Sequence, residues 1–430
     1  MTAGLLSLLA VLVLAFLRVP LAFALLSVSL GGIGVVMGWD VARSLVPLTI
    51  SEAVFSYELA VVPMFILMGN ILARTGISDD LFSASNAFLG PVRGGLALST
   101  MVTCAGFSAV CGSSLATAAT MSKVAYPSMK RYGYSDSLAA ATIAAGGTLG
   151  ILIPPSIILM IYGILTQTNI GHLFVAGVVP GLLGLLMYLL VIYAIARISP
   201  QDAPRGERTT MAQKLQSLRG VWPFTLLFVL IIGGLYGKLF TATEAAGMGA
   251  GLALILSLVQ RRMSWQNFRH IFIETATTSV MLYAVLFGAL LFAKLISFSG
   301  LGEGILELFN QAGLGPWGTI VAILVVFLVL GCVMDSLAII LICVPLFVPI
   351  LLAHGFDLVW FGIIVVVVTE IALITPPIGM NVFVLKATLP HVRLGAIFRG
   401  LTPFIAIDLL RLALLVIFPS ISLALVAFMK

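Results

Sequence analysis

The chain is 430 residues long, 61% hydrophobic and only 9% charged, with a net charge of +6 and a mean hydropathy of +1.20. That balance excludes a soluble domain, because about 20 apolar residues span a bilayer and the chain holds roughly ten to twelve such elements. The basic residues lie at the ends of apolar runs, so the positive charge is no nucleic-acid footprint.

Residues 3–17 form an apolar run with no basic residue before it; Arg18 follows it, which reads as a first membrane helix and not a cleaved signal peptide. Arg18-Val19-Pro20 turns the chain into a second run at 21–38. Further spans are expected near 54–73, 138–168, 173–196, 221–238, 244–259, 273–297, 358–388 and 400–428, and re-entrant hairpins at 95–125 and 316–350. Stretches 77–93 and 264–272 read as amphipathic and interfacial. The polar segment 198–220 is a cytoplasmic linker. With the amino terminus outside, fifteen of the Lys and Arg residues fall in inner loops and only Arg43, Lys238 and Lys430 outside. This is the positive-inside pattern, and reading either hairpin as a single crossing spoils it. Both termini are thus expected on the periplasmic side. Lys123 and Lys386 are expected to snorkel toward an interface. Cys104, Cys111, Cys332 and Cys343 lie in apolar segments and read as small buried residues.

An offset of 222 residues superimposes the two halves. Ser114-Leu115-Ala116 meets Ser336-Leu337-Ala338, Pro127 meets Pro349, Gly133 meets Gly355, and Pro154-Pro155 meets Pro376-Pro377. Two consecutive prolines break a helix, and such backbone survives in hydrocarbon only where protein or a water-lined cavity satisfies it. The first hairpin starts inside and the second outside, so the halves form an inverted-topology repeat, with a site expected where they meet. The domains read as scaffold helices in 1–53, a first repeat in 54–197, the linker, scaffold and interfacial segments in 221–272, and a second repeat in 273–430. The fold class is therefore an all-α polytopic membrane protein with two re-entrant hairpins and two broken helices.

Each half supplies a hairpin tip and a break. The first tip is Cys111-Gly112-Ser113-Ser114; the first break carries Gly147, Thr148, Gly150, Pro154, Pro155 and Ser156. The second tip is Met334-Asp335-Ser336; the second break carries Thr369, Glu370, Thr375, Pro376, Pro377, Gly379 and Asn381. Hydroxyls and exposed carbonyls are hard oxygen ligands suited to a small cation such as sodium. Helix amino termini at the same tips suit a carboxylate. The substrate-facing set is then Ser113, Ser114, Pro154, Pro155, Ser156, Ser336, Pro376 and Pro377. Alternatives stand beside these readings: Asp335 as a helix cap, Glu370 in an ion pair with a neighbouring helix, and the hydroxyls as helix-packing groups. Motifs for an enzyme, such as His-Glu-x-x-His or Gly-x-Ser-x-Gly, are absent from the sequence. No redox or organic cofactor is expected, only coupling ions.

These motifs resemble the large membrane subunit of tripartite ATP-independent periplasmic (TRAP) transporters, of the DctM type. The segments that carry the resemblance are Gly-Ser-Ser-Leu-Ala-Thr-Ala-Ala-Thr at 112–120, Gly-Gly-Thr-Leu-Gly-Ile-Leu-Ile-Pro-Pro-Ser at 146–156, Leu-Phe-Val-Ala-Gly-Val-Val-Pro-Gly at 173–181, Met-Asp-Ser at 334–336 and Glu-Ile-Ala-Leu-Ile-Thr-Pro-Pro-Ile-Gly-Met-Asn at 370–381. Cys111 departs from the family pattern, where Ser-Gly-Ser-Ser is more usual. The resemblance implies a bacterial inner-membrane subunit that imports an organic acid (a C4-dicarboxylate, sialic acid or another carboxylate) by an elevator mechanism driven by sodium. It implies a periplasmic substrate-binding protein and a separate small four-helix membrane subunit as partners, besides the surrounding lipid. By position, family sodium sites fall on Gly112, Ser113, Gly147 and Gly150 in the first half, and on Asp335, Ser336, Thr375 and Asn381 in the second. A free-standing transporter of the same architecture is the alternative.

Overall fold

A computed structural model describes residues 1–429. The first half runs α1 Thr2–Phe16, α2 Leu21–Met37, α3 Trp39–Val54, a 3₁₀ turn at Tyr57–Ala60, α4 Val61–Arg74, α5 Ile77–Leu89, α6 Gly95–Cys111, α7 Ser114–Arg131, α8 Asp136–Leu149, α9 Ile157–Thr166 and α10 Ile170–Ile198. The second half runs α11 Met211–Tyr236, α12 Ala242–Val259, α13 Trp265–Ser299, α14 Leu301–Gln311, α15 Pro316–Gly331, α16 Ser336–Ala353, α17 Leu358–Ile374, α18 Met380–Thr388, α19 Leu394–Ile417 and α20 Ser420–Ala427. Among the described residues, seven segments are long and apolar enough to cross a membrane by length and composition. The shorter apolar helices are α6 and α15, the first arms of the two hairpins, α9 and α17 of the interrupted spans, and α1 and α2; α16, the second arm of the second hairpin, is one of the seven. At about 1.5 Å per residue the 17-residue α6 rises only about 26 Å, less than the ~30 Å hydrocarbon core.

The 222-residue offset runs through the helix boundaries. Helices α7 and α16 start at 114 and 336, α8 and α17 at 136 and 358, α5 and α14 end at 89 and 311, and α2 and α12 end at 37 and 259. The two interrupted helices run antiparallel. Tyr162 near the end of α9 donates from its hydroxyl to the Leu358 carbonyl at the start of α17 (2.7 Å). Reciprocally, Ser137 at the start of α8 donates to the Ala396 carbonyl beyond α18 (2.7 Å), and Tyr126 meets His391 at 2.9 Å. The halves also interlock: α9 packs on α16, and α18 packs on α7.

Two loop faces emerge. One gathers Arg74 paired with Glu274 (2.6 Å), Arg262 paired with Asp80, Lys130 paired with Asp136 (2.6 Å), and Tyr134, whose hydroxyl donates to the Pro204 carbonyl (2.8 Å). The other gathers Tyr57, Asn169, Lys238 and Met429 around a cleft of about 540 Å³. Lys430 lies outside the described residues.

Several elements differ from the expectation from apolar length. Helices α3 and α14 were not expected; α3 carries Asp40, Arg43, Glu52 and an internal Pro47, so no continuous apolar run marks it. Stretch 264–272 is not separate but forms the first turns of the 35-residue α13, capped by Ser264. The linker ends ten residues early, because Thr210 and Gln213 form a capping box that starts α11 at Met211. The expected span 400–428 is divided between α19 and α20 at Phe418-Pro419. Cys111 is only half-buried, whereas Cys104, Cys332 and Cys343 are buried as expected.

Close helix approach rests on small residues. A methyl group at Gly177 of α10 would strike the Leu152 carbonyl oxygen in the first break. Gly177→Ala is therefore expected to lower stability by about 1–3 kcal/mol, read as a lower midpoint in thermal unfolding of the purified protein; an unchanged midpoint would show that this contact relaxes freely.

Candidate site at the hairpin tips and helix breaks

The first tip turns at Gly112, whose φ of +62° favours glycine. Ser113 then caps α7, accepting from Ala116 N at 3.3 Å. In the second half Asp335 caps α16, its Oδ1 accepting from Ala338 N at 2.7 Å. Ser156 caps α9, accepting from Leu159 N at 3.1 Å. Helix α18 starts without a side-chain cap after Gly379, at φ +63°. The X-Pro bonds Pro154-Pro155 and Pro376-Pro377 are both cis.

Both tips open into one cavity of about 210 Å³. Gly112, Ser113 and Ser114 line it from the first tip, Asp335 and Ser336 from the second, and Thr278 from α13. Ile157 and Ile158 bring the start of α9 to the same space. Three helix amino termini thus converge there, those of α7, α9 and α16, each presenting unpaired backbone N–H groups and a positive dipole end. Asp335 is exposed and also lines a second cavity of about 220 Å³, with Phe16, Met334 and Met380. The Asp335 cap and a cavity-facing carboxylate are therefore both present in one residue.

The other expected residues fall into distinct places. Gly147 and Gly150 are buried against the first hairpin. Ser108 Oγ donates to the Gly147 carbonyl (3.1 Å), a Cβ on Gly147 would sit 3.0 Å from the Ser114 carbonyl oxygen, and one on Gly150 would overlap Ser108. The equivalent approach in the second half has the glycine on the opposite partner: a methyl at Gly331 would overlap Ala372. Pro154, Pro155 and Ser156 are buried and are not among the residues lining the shared cavity; Pro376 and Pro377 are exposed and do not line it either. Thr375 turns its hydroxyl back to the Ile371 carbonyl (2.6 Å).

Asn381 departs from its expected grouping. It is fully buried, and its amide donates to Ser114 Oγ (2.6 Å) and the Ala144 carbonyl (3.1 Å), both in the first half. The interlock of α18 on α7 carries it across, which the 222-residue offset alone does not reveal. The residue equivalent to Asn381 is Leu159, and correspondingly Ser336 Oγ has no hydrogen-bond partner. Lys386 does not snorkel freely; its ammonium donates to the carbonyls of Pro390 (2.6 Å) and Val392 (2.9 Å), closing the chain after α18.

Sequence reasoning also left Asp408 and Tyr188 unremarked. Glu370 faces Arg411 of α19, with Oε2 3.5 Å from Nη2, and the same nitrogen lies 3.0 Å from Asp408 Oδ1. Tyr188 of α10 donates to Asp408 Oδ2. All three charged side chains are buried, at 0–1% exposure. Gly184 of α10 leaves room for the guanidinium, since a Cβ there would overlap Arg411 Nη1. Asp408 and Arg411 at i and i+3 within the apolar stretch Phe404–Ile417 were the available signal.

The Asn381–Ser114 bond is open to a double-mutant cycle. Asn381→Ala leaves two buried acceptors without their donor and is expected to cost about 1–3 kcal/mol. Combined with Ser114→Ala it should be non-additive by about 0.5 kcal/mol or more, measured by thermal or denaturant unfolding in detergent; strict additivity would show that the bond carries no energy.

The chain matches the family described as "Tripartite ATP-independent periplasmic transporter, DctM component" over residues 8–421. It is 38% identical over 387 residues to the C4-dicarboxylate TRAP transporter large permease protein DctM of Pseudomonas aeruginosa, covering 90% of each chain. It is 36% identical over 370 residues to the ectoine TRAP transporter large permease protein TeaC of Halomonas elongata, covering 85% of each. Among solved structures, the YdaH transporter of Alcanivorax borkumensis shares the fold with a TM-score of 0.62 at 16% identity, over 89% of each chain. With the motifs at both tips and both breaks, these matches make the chain a member of the DctM family, the large permease component of TRAP transporters.

Proposed function

We propose that this permease imports an organic acid, delivered by a periplasmic binding protein, in symport with sodium, and that a small four-helix membrane subunit completes it. The observation that carries the reading is the shared cavity: two hairpin tips and three helix amino termini meet there, with Asp335 at its edge. Helix amino termini attract a carboxylate, and carboxylate, hydroxyl and carbonyl oxygens attract a hard cation, so anion and cation are held side by side. The shared chemistry of relatives named for a C4-dicarboxylate and for ectoine is a carboxylate, which supports a carboxylate substrate here. In the first half Ser113 and the carbonyls of Gly112, Gly147 and Gly150 are the candidate sodium ligands. In the second they are Asp335, Ser336 and the carbonyl of Thr375.

Asn381 serves this arrangement by tying α18 to the first tip, rather than by direct ligation. The hairpins and interrupted helices move as one body against α1–α4 and α11–α13, an elevator motion that exposes the cavity to each side in turn. The count of basic residues supports placing the linker 199–210 in the cytoplasm and both termini in the periplasm.

The test is uptake of a radiolabelled carboxylate by vesicles holding the permease and its small subunit, with loaded binding protein outside. Sodium-driven uptake is expected, and Asp335→Asn should reduce it by about tenfold or more, equivalent to about 1.4 kcal/mol of lost ion binding. Wild-type uptake by the Asn variant would remove Asp335 from the ion site. Uptake by the permease alone, without binding protein, would favour a free-standing transporter.

A further inference from the structure

Beyond the cavity, one group of ionisable side chains has no part in the transport reading. Glu370 on α17, Asp408 and Arg411 on α19, and Tyr188 on α10 meet in the interior, each carboxylate and the guanidinium at 0–1% exposure. Two carboxylates face one guanidinium. Other helices packed on α17 offer no further positive charge there: α9, α15, α16 and α20 contain no charged residue, α8 only Asp136 at its start, and α10 only His172 and Arg197 near its ends. Lys386 of α18 is engaged with carbonyls at the far end of its helix, and Arg399 lies about two and a half turns from Asp408 along α19. Fully ionised, the cluster would hold one uncompensated negative charge in a dry interior, at an effective cost of several kcal/mol. Two carboxylates that share one site do not both ionise.

The geometry separates the two acids. Asp408 has the nearer contact with Arg411 Nη2, 3.0 Å against 3.5 Å, and it also accepts from the Tyr188 hydroxyl. Glu370 accepts one long hydrogen bond, 3.5 Å, from Arg411 Nη2 to its Oε2, and its Oε1 has no hydrogen-bond partner among the described residues. Asp408 Oδ1 is likewise an acceptor without a hydrogen bond, because the Arg411 contact is poorly aligned. A metal ion is disfavoured here by the guanidinium within 3.5 Å of both carboxylates.

We propose that Glu370 is a proton-binding site: it carries a proton in the folded protein, and Asp408 is the carboxylate that pairs with Arg411. One proton balances the charge of the cluster and turns one surplus acceptor into a donor. Where the transport reading holds, this leaves Asp335 as the ionised carboxylate of the tips and breaks that a coupling cation would meet; the proton itself is tested without transport.

The experiment is infrared difference spectroscopy on the full-length protein in lipid vesicles at neutral pH, wild type against Glu370→Gln. Wild type is expected to show the carbonyl stretch of a protonated carboxylic acid, shifted in D₂O and missing in Glu370→Gln. That variant is a neutral isostere of the protonated acid, so its thermal midpoint should stay within about 2 °C of wild type. Asp408→Asn is the counterpart: Glu370 must then ionise to compensate Arg411, so this variant should lose the band as well and, unlike Glu370→Gln, lower the midpoint. No such band in wild type, its survival in Glu370→Gln, a midpoint lowered by Glu370→Gln and not by Asp408→Asn, or failure of Glu370→Gln to fold would each overturn the assignment. Loss of sodium-driven uptake in Asp335→Asn has no bearing on this band, so the two readings fail separately.

Discussion

Backbone that leaves a helix inside an apolar layer must find its partners within the protein. Here that requirement arises four times, at two tips and two breaks, and it organises the whole core. Capping side chains meet part of it, with Ser113, Ser156 and Asp335 each accepting from the N–H of the third residue of the following helix. The rest is met across the repeat. Helix α18 of the second half lies on the first hairpin and α9 of the first half on the second, so each interrupted helix is closed by its opposite number.

The interlock gives the two tips one frame but different chemistry. At the first tip, Ser114 is held by Asn381 and the neighbouring Gly147 carbonyl by Ser108. At the second, Leu159 replaces the amide, Ser336 Oγ is unpaired, and an acid stands where the first tip has Ser113. The first tip is therefore closed by uncharged hydrogen bonds, while the second keeps a carboxylate and a hydroxyl available at the cavity. Duplicated sequence has supplied the geometry, and divergence at a few positions has supplied the polarity.

Much of this was legible because its signals are local. Paired prolines announce both breaks, Gly112 and the following Ser113 announce a turn and a cap, and the offset between Ser114 and Ser336 aligns the hairpins. What the sequence left open depended on contacts between distant segments. Asn381 was grouped by its position in the second break with its own half, yet the crossing of α18 onto α7 takes it to Ser114. The prolines were read as facing the substrate, whereas Pro154 and Pro155 are buried and the cavity is lined instead by the isoleucines on either side of that break. Helices α3 and α14 escaped a search for apolar runs, since amphipathic helices are defined by a face and not by length.

The cross-packing also constrains how such a core can move. A displacement of the first hairpin alone would strip Ser114 from Asn381 and leave both buried, at a cost of about 1–3 kcal/mol for each unsatisfied group. A displacement of α17 alone would pull Glu370 from Arg411 in a fully buried cluster. Moving all of these elements together breaks neither contact. In the elevator motion proposed above, the boundary that would slide is the one with α13, where Thr278 and Leu282 face the tips across the cavity. From α13 that cavity wall presents a hydroxyl and an apolar side chain and no charge, so sliding there would separate no ion pair between α13 and the tips.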